Sequence, residues 1–266
     1  YSYSVSFAVA LAEGPVTRIG RIWADGKPLA LEGITWRLHR GGEEQLPDPL
    51  IEAVEGEGNT PAYRGTAYAV FEELDLTPFG NRVPQLSFEV FRTLSEVEEM
   101  IRAVTVIPGA GEFVCDTGVM REILGEASDR AINMHNSQGA SDWSVAIDQL
   151  QETCVNAEAV SLVVAWFGDD LRCGHCTLRP RVEAGHKITI PERWKVSGLA
   201  RADAALVSTR DGKPAFGGTP ADLSVIRAIR DLKARGLRAV FYPFVLMDIA
   251  EGNALPDPWS GGTGQP

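Results

Sequence analysis

Three acids follow long apolar runs and are placed where they could do chemistry. Ser161-Leu-Val-Val-Ala-Trp-Phe-Gly-Asp-Asp170 ends on Asp169 and Asp170, and Arg238-Ala-Val-Phe-Tyr-Pro-Phe-Val-Leu-Met-Asp248 ends on Asp248. A glycosidase needs two carboxyls flanking the scissile bond, about 5–5.5 Å apart for retention and about 6.5–9.5 Å for inversion. Asp169 and Asp170 are adjacent, so on an extended backbone they point to opposite sides and cannot both flank one bond. Asp248 is the better partner for one of them. In this reading Asp169 or Asp248 is base or nucleophile, and the general acid comes from strands beyond residue 266. Trp166 would stack on a pyranose face, while Arg172 and His175 would hold a hydroxyl or carboxylate. The competing reading has these acids capping the following turns or pairing with Arg172 and Arg179.

The elements that must position these residues divide the chain in two. The runs Val160–Phe167 and Arg238–Leu246 lack polar alternation, so they are expected to be strands buried on both faces of a parallel sheet. Acids just past the carboxyl ends of such strands sit where α/β barrels keep their chemistry. Ser141 to Glu152 predicts a helix capped by Ser141. Thr219-Pro-Ala-Asp222 predicts another, with Pro220 at its first position, Leu223, Ile226, Ile229 and Leu232 on one face, and Gly236 as its stop. Asp203 to Ser208 reads as a short strand.

Before residue 95 the rhythm is different. Tyr3–Leu11, Val16–Trp23, Thr35–Leu38, Thr66–Phe71 and Pro84–Phe91 read as short strands, with Asp25-Gly26 as a hairpin turn. Residues 43–61 read as mostly irregular, a solvated loop or an acidic face toward a neighbouring subunit. Trp23 and Trp36 are expected to fill the core or an intersubunit contact. Residues 96–142 read as a transition, with local strand around Ala103–Ile107 and Gly111–Val114. The expected fold is therefore a β-rich module over 1–95, barrel or sandwich, a transition over 96–142, and α/β from 143 to 266.

A closed eight-fold βα barrel takes about 250 residues, far more than follow residue 142. The chain supplies two or three TIM-barrel-like units, and the barrel is not completed within it. With no initiator methionine at Tyr1, it reads as a fragment of a longer polypeptide.

The net charge of −11 resides entirely in the first 142 residues, whose acids would repel phosphate backbones. That argues against sequence-specific nucleic-acid binding. Among the four cysteines, only Cys173-Gly-His-Cys176 has metal-like or redox-like spacing. Cys115 and Cys154 are isolated, and His39, His135 and His186 are scattered, so no metal site and no cofactor is expected. The default for the thiols is buried or incidental.

Three segments of the first half resemble one family: Tyr3–Lys27, then Pro47–Gly56 with Ala62–Tyr68, and Pro78–Val90. They are similar to the large baseplate or tail-tip protein of siphophage-like tails, the host-specificity or "megatron" protein of gene transfer agents. Ser161–Pro180, Pro214–Pro220 and Phe241–Asp248 look like the glycoside-hydrolase-like barrel within the same proteins. The resemblance implies a hub-like structural subunit, trimeric around the tail axis, in a virion-like particle assembled in the bacterial cytoplasm. Its partners would be other tail and baseplate proteins and, at the host surface, polysaccharide. It leaves two alternatives: a glycoside hydrolase acting on cell-wall or capsular polysaccharide, and a carbohydrate-binding barrel without catalysis.

Overall fold

The computed structural model describes residues 2–93, 97–109 and 111–265. The fold is β-rich with few helices, and the described residues contain no closed barrel. The chain divides into two compact units. One comprises residues 1–100, 137–139 and 148–155, and the other 101–136, 140–147 and 156–266. The expected boundary at Ser95 and Glu96 lies outside the described residues.

In the first unit, β1 (Ser4–Glu13), β2 (Arg18–Ala24), β3 (Lys27–Pro28), β4 (Thr35–His39), β5 (Thr66–Asp75) and β6 (Leu86–Phe91) form two antiparallel sheets. Their orders are β1-β5-β4 and β3-β2-β6. The strand β5 is central, and Ala67 to Phe71 are buried on both faces, whereas β1 at the edge mostly alternates exposed with half-buried residues. Ile22 of β2 joins Phe71 and Leu74 of β5 in one core, which Trp36 completes. Phe71 stacks on Phe7 at 5.3 Å and on Trp36 at 6.2 Å. Asp25 and Gly26, both at positive φ, close the β2–β3 hairpin as their types predict.

Residues 43–61 are less irregular than expected, because they contain α1 (Pro49–Glu55). Asp48 caps it, its Oδ1 accepting from the amides of Leu50 at 2.9 Å and Ile51 at 3.3 Å. Pro49 at the first position leaves no stranded donor. A second short helix, α2 (Val97–Met100), follows β6. At the rim of the first sheet, a Cβ on Gly14 would stand 2.8 Å from the Gly41 Cα, and one on Gly41 3.0 Å from the Gly14 Cα. Gly65 ties both segments, accepting from the Gly14 amide at 2.8 Å and donating to the Gly41 carbonyl at 3.0 Å.

The second unit begins with β7 (Ala103–Val106), β8 (Arg121–Gly125) and β9 (Ser128–Ala131). The helix α3 (Asp142–Thr153) has residues in both units, and the Ser141 hydroxyl accepts from the Ser144 amide as the capping residue should. Then come β10 (Ala159–Gly168), β11 (Leu178–Arg179), β12 (Arg181–Val182), β13 (Thr189–Ile190), β14 (Lys195–Val196), β15 (Leu199–Ala200), β16 (Ala205–Leu206), β17 (Thr209–Arg210) and β18 (Lys213–Pro214). The unit closes with α4 (Asp222–Ala234) and β19 (Arg238–Met247). Gly111–Val114 forms turns in place of strand, and only Ala205–Leu206 of the expected 203–208 strand is paired as one.

The two runs singled out in the sequence are neighbours. β10 lies parallel to β19, with Ala159 opposite Arg238 and Gly168 opposite Met247, and parallel to β7 along its first four residues. Their burial differs sharply. Leu162 and Phe167 of β10 are fully buried, while Phe241 and Tyr242 of β19 keep 53% and 48% of their surface. The expectation of two-sided burial therefore holds for β10 and fails for β19. Among the described residues β10 has strands on both edges, and β19 pairs with β10 alone.

The helix α4 starts at Asp222, two residues later than the sequence suggested, with Ala221 as its cap residue. The face it buries is Ser224, Val225, Ala228 and Leu232, so Leu223 and Ile226 stay exposed. Its end is a Schellman motif, with Gly236 donating to the Lys233 carbonyl and Leu237 to that of Leu232. No described helix is long and apolar enough to cross a membrane.

Candidate functional site

The parallel register fixes the geometry of the strand ends. Gly168 and Met247 are opposite one another, so Asp169 and Asp248 stand level, one residue past neighbouring strands. The Asp248 amide continues the ladder by donating to the Gly168 carbonyl at 2.9 Å. Residues 169–177 then form a loop between β10 and β11, and it carries Asp169, Asp170, Arg172 and His175.

Asp170 turns inward and is 5% exposed. Its Oδ1 accepts from the Arg172 amide at 2.8 Å and Nε at 3.0 Å, and its Oδ2 from Arg172 Nη2 at 2.6 Å. Gln265 Nε2 adds a further bond to Oδ1 at 2.8 Å. The Arg172 guanidinium first, then the Gln265 amide, hold this carboxyl well below the usual carboxylate range. Asp169 is half-buried, and its Oδ1 accepts from the Thr177 amide at 2.7 Å, which closes the base of the loop. His175 is exposed, its amide donating to the Arg172 carbonyl at 2.8 Å.

Asp248 is buried beside β10. Its Oδ2 accepts from Arg181 Nη1 at 2.8 Å and from the Ser208 amide at 3.0 Å, and its Oδ1 from the Ser208 hydroxyl. The sequence pointed to Arg172 and Arg179 as pairing partners. Arg172 does pair, with Asp170, whereas Asp248 takes Arg181, and neither Ser208 nor Gln265 had any local signal. Trp166 faces a different space. With Ile226, Ile229, Phe241, Pro243 and Val245 it lines a groove of about 620 Å³ between α4 and β19. On the opposite sheet face Val163, Ala165, Phe216, Tyr242, Phe244 and Leu246 line an apolar cavity of about 480 Å³.

The sequence also missed a buried ion cluster. Glu112, 2% exposed, accepts from Arg201 Nη1 at 2.7 Å and Nη2 at 2.5 Å, and from the Glu183 amide at 3.1 Å. Lys187 Nζ stands 3.6 Å away. Glu112 follows a glycine-rich stretch in the segment read as a transition, where nothing marks it as buried. Among the described residues no group of three or more His, Cys, Asp or Glu side chains is placed to hold a metal.

What the strand ends can do is hold carboxylates in fixed positions. Asp170 and Asp248 have their oxygens filled by arginine and amide donors, which leaves little of either group free to face a substrate. Asp169 is the least encumbered of the three.

No family model matches the chain, and no curated protein matches it. Among solved structures, a chain from the virion of a native gene transfer agent particle aligns with 58% identity and a TM-score of 0.33. The alignment covers 35% of this chain and 21% of that one. Over about a third of its length the chain is thus similar in sequence to a component of that virion, and the match spans about a fifth of the component.

Proposed function

We propose that this chain is a structural component of a phage-like gene transfer agent particle, placed at the tail tip or baseplate. In this reading the first unit is the hub-like module and the second begins a TIM-barrel-like, glycoside-hydrolase-like domain. The chain joins the tail to parts that attach to the host and penetrate its envelope, as one of three copies around the tail axis. The observation that carries the reading is where the family-like segments lie. Tyr3–Lys27, Pro47–Gly56, Ala62–Tyr68 and Pro78–Val90 contribute β1, β2, α1, the start of β5 and β6 of one compact unit. They therefore fall within one folded module.

Permanent assembly of this kind buries about 2,000 Å² or more per interface. Sedimentation of the purified chain, alone and mixed with distal-tail and hub proteins, tests it. Oligomers or stable complexes are expected. A monomer at micromolar concentration that binds none of the tail proteins defeats the reading.

A second reading, hydrolysis of cell-wall or capsular polysaccharide, is favoured by one observation: Asp169 and Asp248 stand level past adjacent strands. Release of reducing sugar from peptidoglycan by the assembled particle, and its loss in Asp169→Asn and Asp248→Asn, supports it. Release that survives both substitutions removes these residues from the site.

A further inference from the structure

The loop that carries Asp169, Asp170 and Arg172 holds a second chemistry that the functional reading leaves unused. Cys173 and Cys176 are both free thiols, one exposed and the other half-buried. Between them the chain makes a single turn. The amides of His175 and Cys176 both donate to the Arg172 carbonyl, at 2.8 Å and 3.1 Å. On such a turn, residues three apart are neighbours, with Cβ atoms about 5–6 Å from one another. A disulfide needs about 3.5–4.5 Å. The difference is small, and the exposed Cys173 side chain has open surroundings in which to turn toward Cys176.

We propose that Cys173 and Cys176 form a reversible disulfide that locks the 169–177 loop, with a small-molecule disulfide such as oxidised glutathione as oxidant. The exposed Cys173, as thiolate, attacks one sulfur of the oxidant. One glutathione leaves as thiolate and takes up the proton that Cys173 released. Cys176 then gives up its proton and attacks the Cys173 sulfur of the mixed disulfide, expelling the second glutathione, which takes that proton. Two protein thiols are oxidised, one small disulfide is reduced to two thiols, and no other reactant is needed.

The remaining thiols are unsuited to the same step. Cys115 and Cys154 are buried, and burial first, then the Asp116 charge, pushes the Cys115 thiol up to about 12. A protonated, enclosed thiol neither attacks nor is attacked. The pair is also well placed to stiffen its surroundings. The Cys176 sulfur packs against the end of β10, where a Cβ on Gly168 would stand 2.8 Å from Sγ and 2.9 Å from Met247 Sδ. The loop is already tied at its base by Thr177 on Asp169 and at its start by Arg172 on Asp170. A covalent link across the 173–176 turn would close the part now held by backbone bonds alone.

The test incubates the full chain with oxidised glutathione or with dithiothreitol, then alkylates it under denaturing conditions and maps it by mass. Oxidation should remove two of the four alkylatable thiols, and tryptic peptide 173–181, in which Pro180 blocks cleavage after Arg179, should be lighter by two hydrogens and unalkylated. Cys176→Ser should retain one glutathione on residue 173, because the resolving thiol is gone. Brief native trypsin treatment supplies the conformational readout. Cleavage after Arg172 should slow several-fold on oxidation and recover with dithiothreitol, while the double Cys173→Ser, Cys176→Ser variant should not respond. Four alkylatable thiols after oxidation, a persistent glutathione adduct on the unaltered chain, or linkage to Cys115 or Cys154 overturns the pairing. A disulfide that forms without changing the trypsin rate overturns the lock.

Discussion

β10 and β19 run side by side, in the same direction, with similar apolar composition, and end on acids at the same level. One is sealed and the other open. Phe167 of β10 is fully buried, whereas Phe241 of β19 is 53% exposed. The difference teaches that apolar continuity reports what a strand is built to contact, while burial reports what lies beside it. β10 is flanked by strands on both edges, and β19 has a described strand on one edge only. The groove lined by Trp166, Ile226 and Phe241, and the cavity lined by Phe216, Tyr242 and Phe244, both open along β19. In the proposed assembly this edge is where further barrel-like strands or a neighbouring protein would add.

The comparison is most directly challenged by truncating the two phenylalanines. Phe167→Ala should destabilise the second unit by about 3–5 kcal/mol, and Phe241→Ala by less than about 1 kcal/mol, in urea unfolding. Equal losses would mean that β19 is covered in solution. A similar contrast holds for ions. Glu112→Ala strands a buried Arg201 and should cost about 3–5 kcal/mol, whereas Glu89→Ala, opposite a well-exposed Arg21, should leave the urea midpoint almost unchanged.

The next effect is smaller and depends on pH. Burial opposes ionisation of Asp48, but hydrogen bonds from Arg37, His39 and the amides of Ile51 and Leu50 outweigh it and hold its carboxyl well below the usual carboxylate range. A depressed folded value stabilises the first unit above the unfolded pKa of about 4 and is lost as acid titrates through the folded value. Thermal melts from pH 7 down to pH 2 should fall more gently in Asp48→Asn, which should cost about 1–3 kcal/mol at pH 7. Parallel acid limbs would show that these bonds do not hold the carboxylate. The smallest change in stability is expected from Phe241→Lys, since an exposed edge tolerates charge. Its effect should be lower light scattering at high protein concentration, and unchanged scattering would show that β19 does not drive association.

What the sequence revealed and what it concealed follows from the range of the forces involved. The β2–β3 turn was legible because Asp25 and Gly26 are types that accept positive φ, and α3 because Ser141 caps it locally. The α1 helix was missed although Asp48-Pro49 spells a cap followed by a first-turn proline, since the surrounding acids and glycines suggested a loop. The buried face of α4 was misjudged because Leu223 and Ile226 are apolar yet exposed, Ile226 lining the open groove, while Ser224 turns inward to donate to Asp116 at 2.6 Å. Asp169, Asp170 and Asp248 were legible as strand-end acids. Arg181, Ser208 and Gln265 were not, because each reaches its carboxylate from at least 40 residues away in the chain.

The Gly14–Gly41 crossing implies a constraint of another kind. Two stretches of main chain meet there with no side chain between them, so even one methyl group would force them apart and strain both tethers to Gly65. Surface engineering, whether for labelling, crosslinking or improved handling, can range widely over this unit. It must leave that junction bare.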